Sequence, residues 1–135
     1  MMRAMLAGML FLGTAGVAAA QDQVPDFTGT WTGEFDVIVM GRDPGSAGKV
    51  EKATVTYNLA NQEGRAIWGD VSSDRTTGKW PIVLAFSLNN GTLLGSDTEA
   101  YHRITVISPN RMEACFGDNG SGSIFASCGV LHKGE

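Results

Sequence analysis

The chain has no excess of basic charge. Ten lysines and arginines stand against 14 aspartates and glutamates, a formal net charge of −4 at pH 7 over 135 residues. A protein that neutralises nucleic-acid phosphates needs a basic stripe, so this balance argues against a nucleic-acid partner. Long apolar runs are missing as well: the uncharged, mostly apolar stretch at residues 4–17 is about 14 residues, short of the ~18 expected of a membrane-spanning helix. Cysteine is scarce, with two residues and no Cys-x-x-Cys redox motif. Two cysteines make a poor structural zinc site, which takes four ligands, when His102 and His132 are the only imidazoles. The surroundings of Asp43 and Asp118 lack the spaced oxygen ligands and terminal glutamate of a calcium loop. Gly120-Ser121-Gly122 lacks the lysine that follows in a phosphate-binding loop, and no Gly-x-Ser-x-Gly nucleophile elbow occurs. No catalytic set, cofactor or metal is therefore implied. Disorder is excluded by the 43% hydrophobic content at low charge.

What the chain does carry begins with an address. Met1-Met2-Arg3 supplies one positive charge, the apolar stretch follows, and Ala18-Ala19-Ala20 fits the small-x-small rule for cleavage. The expectation is a signal peptide over residues 1–20 and a single domain over residues 21–135. No cysteine stands at the cleavage point for a lipid anchor, and a single arginine does not make a twin-arginine signal. The mature protein is expected in the periplasm or the extracellular medium, without a membrane anchor. In such an oxidising compartment Cys115 and Cys128 are expected to form a disulfide. Closing that loop of about 14 residues is worth ~3 kcal/mol in the chain-entropy picture.

From residue 30 onward the chain alternates with period two, the mark of half-buried strands. Trp31, Gly33, Phe35, Val37 and Val39 fall on one face of residues 30–40, with Thr30, Thr32, Glu34 and Asp36 on the other. Residues 50–60 set Ala53, Val55, Tyr57 and Leu59 against Thr54, Thr56 and Asn58. Further strands are read at 65–71, 79–87, 92–98, 101–108, 111–116 and 123–133, separated by turn signals such as Asn89-Asn90-Gly91 and Pro109-Asn110. Eight short strands joined by short turns predict an all-β, eight-stranded antiparallel up-and-down barrel, with a two-sheet β-sandwich as the alternative. Gly33, Gly69 and Gly95, inside strand patterns, read as bends or bulges that let the sheet curl. The expected inward set is Trp31, Phe35, Val37, Val55, Tyr57, Leu59, Ile82, Leu84, Phe86, Ile104 and Val106. Trp68 has the opposite parity to Ile67 and Val71, so it is expected outside, covering a neighbour or meeting a partner.

The segment Phe27-Thr28-Gly29-Thr30-Trp31-Thr32-Gly33 resembles the Gly-x-Trp opening of the calycin barrels, the lipocalins and avidins. That resemblance implies that Trp31 plugs one end of the barrel. It also implies a basic residue near the last strand packed over the indole, here Lys133 or Arg111, through a cation–π contact. Thr32-Gly33-Glu34 stands where avidins carry a biotin-binding asparagine, so biotin binding is not implied. The likeness supports architecture and transfers no ligand residue.

One segment gathers chemistry: Asp97-Thr98-Glu99-Ala100-Tyr101-His102 holds two carboxylates, a phenol and an imidazole. On an extended strand Asp97, Glu99 and Tyr101 share a face that His102 does not, unless a turn at Glu99-Ala100 intervenes. The plain reading of this segment is a solvated acidic hairpin tip. His102 shares parity with Ile104 and Val106, which turns it inward near a barrel mouth. There it would offer a polar handle to a ligand lying against Tyr57 and Trp80, or else bond to a neighbouring strand or to water. Three functions follow: a non-catalytic barrel binding a small apolar or aromatic ligand, an envelope protein-interaction or inhibitor module, and a small barrel enzyme using His102. An open interior favours the first, and a filled one the second.

Overall fold

Alternating β-branched and aromatic residues present one apolar face per strand, and only a closed or stacked sheet can bury eight such faces. In the computed structural model, residues 23–118, 120 and 124–135 are described; the expected signal peptide and most of the 119–123 turn lie outside them. The strands are β1 (Gly29–Met40), β2 (Lys49–Glu63), β3 (Ala66–Ser73), β4 (Trp80–Phe86), β5 (Thr92–Ser96), β6 (Ala100–Ser108), β7 (Arg111–Asp118) and β8 (Ile124–Lys133). Each pairs antiparallel with its successor, and β8 returns to pair with β1, closing an up-and-down barrel. The sandwich alternative is thereby excluded. There is no helix among the described residues, and closure leaves no sheet edge unpaired.

The inward parity holds along the strands up to the ladder irregularity that follows Leu59 in β2. Trp31, Phe35, Val55, Tyr57, Leu59, Ile82, Leu84, Phe86 and Ile104 are buried, and Val37 and Val106 pack against them. Phe27, Ile67, Leu93, Met112, Ala114 and Leu131 complete the core. Trp68 stands on the outer face as expected, 38% exposed. The strand glycines have a sharper role than bending. A Cβ at Gly33 would lie 1.9 Å from the Val130 carbonyl oxygen, at Gly69 1.8 Å from that of Asn58, and at Gly95 1.8 Å from that of Val83. These are places where a neighbouring backbone crosses too closely for any side chain. The ladder beside Gly69 is irregular, with a register shift between Asn58 and Asn61. Past this irregularity β2 runs on to Glu63, where a turn had been expected.

The two ends of the barrel differ. At the end where β1 begins, Trp31 is fully buried, and its Nε1–H donates to the Phe27 carbonyl at 3.0 Å. Phe27 stacks on it at 5.6 Å and meets Phe86 at 5.5 Å. The Lys133 ammonium lies 5.5 Å from the indole centroid, a contact worth about 0.5–1 kcal/mol when exposed. Arg111 is exposed and pairs with His132 in the ladder, so the lysine takes the covering role. The Gln62 side chain binds the segment before β1, accepting from Phe27 N at 3.0 Å and donating to Pro25 O at 2.8 Å. This end is closed. On the outside of the barrel, Cys115 and Cys128 are ladder partners on β7 and β8, with Cα atoms 4.1 Å apart, and are joined by a disulfide.

Candidate functional site

At the other end the odd-numbered strands finish, the even-numbered strands begin, and the interior is not filled. A cavity of about 500 Å³ opens there. Its apolar wall comes from inward residues of several strands, among them Val37, Val55, Val71 and Phe116, with Phe125 at the start of β8 and Trp80 at the start of β4. His102 lies on its floor, 4% exposed, with the Phe116 ring 5.4 Å away. Trp80 and His102 both line this cavity. Tyr57 is not part of the cavity wall: it is fully buried one layer deeper.

Tyr57 instead meets His102 edge-on, and its hydroxyl lies 2.8 Å from His102 Nδ1. The other ring nitrogen, Nε2, lies 2.8 Å from Asp97 Oδ2. Parity along an extended strand would have kept Asp97 and His102 apart. A tight turn defeats that expectation: β5 stops at Ser96, Asp97 N donates to Ala100 O at 3.0 Å, and Asp97 Oδ1 accepts from Glu99 N at 2.6 Å and Ala100 N at 2.7 Å. An aspartate that bonds its own following backbone makes such a turn readily. The Asp97 side chain is only 7% exposed, so this part of the hairpin tip is not a solvated acid.

The protonation pattern follows from the partners. Burial pushes the Tyr57 phenol far above its ordinary range, reinforced by the Asp97 charge, so it stays protonated and donates. Burial also holds His102 below its ordinary value, partly offset by the bond to Asp97. The arrangement is therefore a neutral imidazole with its proton on Nε2: Tyr57 O–H donates to Nδ1, and Nε2–H donates to the Asp97 carboxylate. Both ring nitrogens are committed within the protein. His102 offers a ligand its ring surface, not a free donor or acceptor, and the chain Asp97–His102–Tyr57 presents no exposed nucleophile.

The polar groups at the mouth are ones the alternation pattern did not single out. Arg75 in the β3–β4 loop pairs with Glu51 near the start of β2 and donates to Lys52 O at 3.3 Å. Lys49 also reaches Glu51, and the hydrogen bond it donates, followed by the charges of Arg75 and Lys49, holds the Glu51 carboxyl below the usual range. Glu99 on the β5–β6 turn lines the opposite side with Asp97. Glu51 and Arg75 sit at a strand start and in a loop, where no local periodicity marks them. Among the described residues no three histidines, cysteines or acids converge as metal ligands.

No protein-family model matches the chain, and no curated protein matches it in sequence. Among solved structures, the S-type phycobiliprotein lyase CPES from Guillardia theta is similar to it with a TM-score of 0.48 and 12% sequence identity, over 81% of this chain and 89% of that one.

Proposed function

We propose that the protein is a non-catalytic β-barrel that takes a small apolar or aromatic ligand into its open end. One observation carries the reading: a cavity of about 500 Å³ with an apolar, aromatic wall at the mouth of a barrel whose other end is sealed. Small-molecule sites are commonly ~300–1,000 Å³, mostly apolar, with a few convergent polar groups. The role of His102 in this reading is indirect. Tied to Tyr57 and Asp97, it fixes the floor and the β5–β6 turn, while Trp80 and Phe116 meet the ligand. The disulfide supports the further proposal that the chain works outside the cytoplasm, after loss of residues 1–20.

The three tryptophans make a direct test. Trp31 is sealed in the closed end, Trp68 faces outward, and Trp80 alone lines the cavity. Titration with apolar and aromatic compounds should give a saturable fluorescence change that Trp80→Phe abolishes. No change with any compound, or a change that persists in Trp80→Phe, overturns the reading.

A second reading, docking of an envelope protein, has one observation in its favour. The ladder sets Trp68 beside Val83, Val83 beside Ser96 and Ser96 beside Tyr101, and Val83 and Tyr101 are 61% and 66% exposed. The two readings separate by where binding is lost: at Trp80 for a ligand, at Trp68 and Val83 for a protein.

A further inference from the structure

The polar groups of the cavity wall fall into two kinds. The charged ones already have partners within the protein. Arg75 binds Glu51 and Lys52 O, and Glu51 receives Lys49 as well. Asp97 is held by His102 and by the amides of its own turn, and both ring nitrogens of His102 are committed. Glu99 has a partner of its own. An ammonium group on a ligand would therefore meet carboxylates that are already engaged. A carboxylate would arrive at a wall with three acids, Glu51, Asp97 and Glu99, and one guanidinium that is bound to Glu51. Either ion would give up water without gaining a countercharge, which is unfavourable in an apolar site. The hydroxyls are the second kind. Ser73, the last residue of β3, shares the inward face with Val71 and lines the cavity. Its oxygen accepts from Arg75 N at 3.2 Å, and among the described residues none accepts its proton. A hydroxyl that has accepted one bond still has its donor to offer. The ladder pairs Val71 with Trp80, which sets Ser73 diagonal to Trp80, and such diagonal neighbours lie about 7–8 Å apart. Thr76, whose N–H closes the loop onto Ser73 O at 3.4 Å, also lines the cavity. The end of β3 thus places an uncommitted donor near an aromatic wall.

We propose that the ligand is uncharged and carries a hydrogen-bond acceptor, a carbonyl or ether oxygen, which the Ser73 hydroxyl holds while the apolar or aromatic body lies against Trp80 and Phe116. Ser73 then determines how the ligand sits, and the paired charges of the wall select against ions. This rests on the ligand-binding reading above and adds the ligand's charge state and the group that anchors it.

Four probes of one skeleton test it: 4-phenylbutan-2-one, butylbenzene, 4-phenylbutylamine and 4-phenylbutanoate, titrated by tryptophan fluorescence at neutral pH into the wild type and Ser73→Ala. The ketone should bind at least about tenfold more tightly than either ion, equivalent to ~1.4 kcal/mol. Ser73→Ala should weaken the ketone several-fold and leave the affinity for butylbenzene, which has no acceptor, unchanged. If either ion binds as well as the ketone, the charge assignment is wrong while the cavity reading stands. A ketone affinity that survives Ser73→Ala, or a loss shared equally by butylbenzene, overturns the anchor at the end of β3. If none of the four binds the folded protein, both proposals fall together.

Discussion

Replacing Tyr57 by phenylalanine removes one oxygen from a fully buried ring and leaves the ring itself in place. The packing of Tyr57 in the core is kept, so the transfer and cavity terms of a large truncation do not arise. What remains is the loss of the donor 2.8 Å from His102 Nδ1. That nitrogen belongs to a residue 4% exposed, with no other hydrogen-bond partner among the described contacts. A buried polar atom left unpaired costs about 1–3 kcal/mol. For a domain of this size that corresponds to a fall in Tm of roughly 4–12 °C, at about 4 °C per kcal/mol. Thermal melts followed by circular dichroism at pH 7.5 read it directly. Specificity comes from repeating the substitution in a His102→Leu background, where the acceptor is already gone. There Tyr57→Phe should be neutral or stabilising, giving a coupling energy above ~0.5 kcal/mol. A loss below ~0.5 kcal/mol in the wild type, the level of a surface change, would refute the bond. An equal loss in both backgrounds would refute the coupling.

Because burial lowers the pKa of His102 from its ordinary 6.5, the unfolded chain takes up the proton at a higher pH than the barrel does. Stability from this site is therefore complete above about pH 7 and declines as pH falls through 6.5 toward the lowered value; melting from pH 8 to 5 should show the slope, and His102→Gln should lose it. Parallel profiles for the two proteins would contradict the assignment. Leu84→Ala, at a site 4% exposed on the inward face of β4, should cost about 2–5 kcal/mol in urea unfolding, and a near-zero cost would mean a wrong register. Gly95→Ala places a Cβ where the Val83 carbonyl oxygen would be 1.8 Å away, so β4 and β5 must part; the variant should lose at least about 2 kcal/mol or fail to fold, and wild-type stability would rule out the close approach. Cys115→Ser with Cys128→Ser should cost about 3 kcal/mol by the chain-entropy relation, measured against the oxidised wild type by the same unfolding, and equal midpoints would show that the bridge adds no stability.

The sequence alone determined which face of each strand turns inward, because side-chain direction alternates every residue and a buried face must be apolar throughout. Trp31, Phe35, Tyr57 and Phe86 were readable in this way, as was the outward Trp68, and the Gly-x-Trp opening pointed to a sealed end under a basic residue. Closure was not local information. Pairing of Trp31 with Lys133 joins residues about a hundred positions apart, and a sandwich would satisfy the same alternation. Only the assembled barrel selected Lys133 over Arg111. The site depended still more on tertiary structure. Parity held Asp97 and His102 apart until the aspartate's bonds to Glu99 N and Ala100 N turned the chain. The Tyr57–His102 bond crosses 45 residues and the width of the interior. Glu51, Arg75 and Glu99 all line the mouth because alternate strand ends converge there. No period along the chain records that convergence, since it arises only when the sheet has curled and closed.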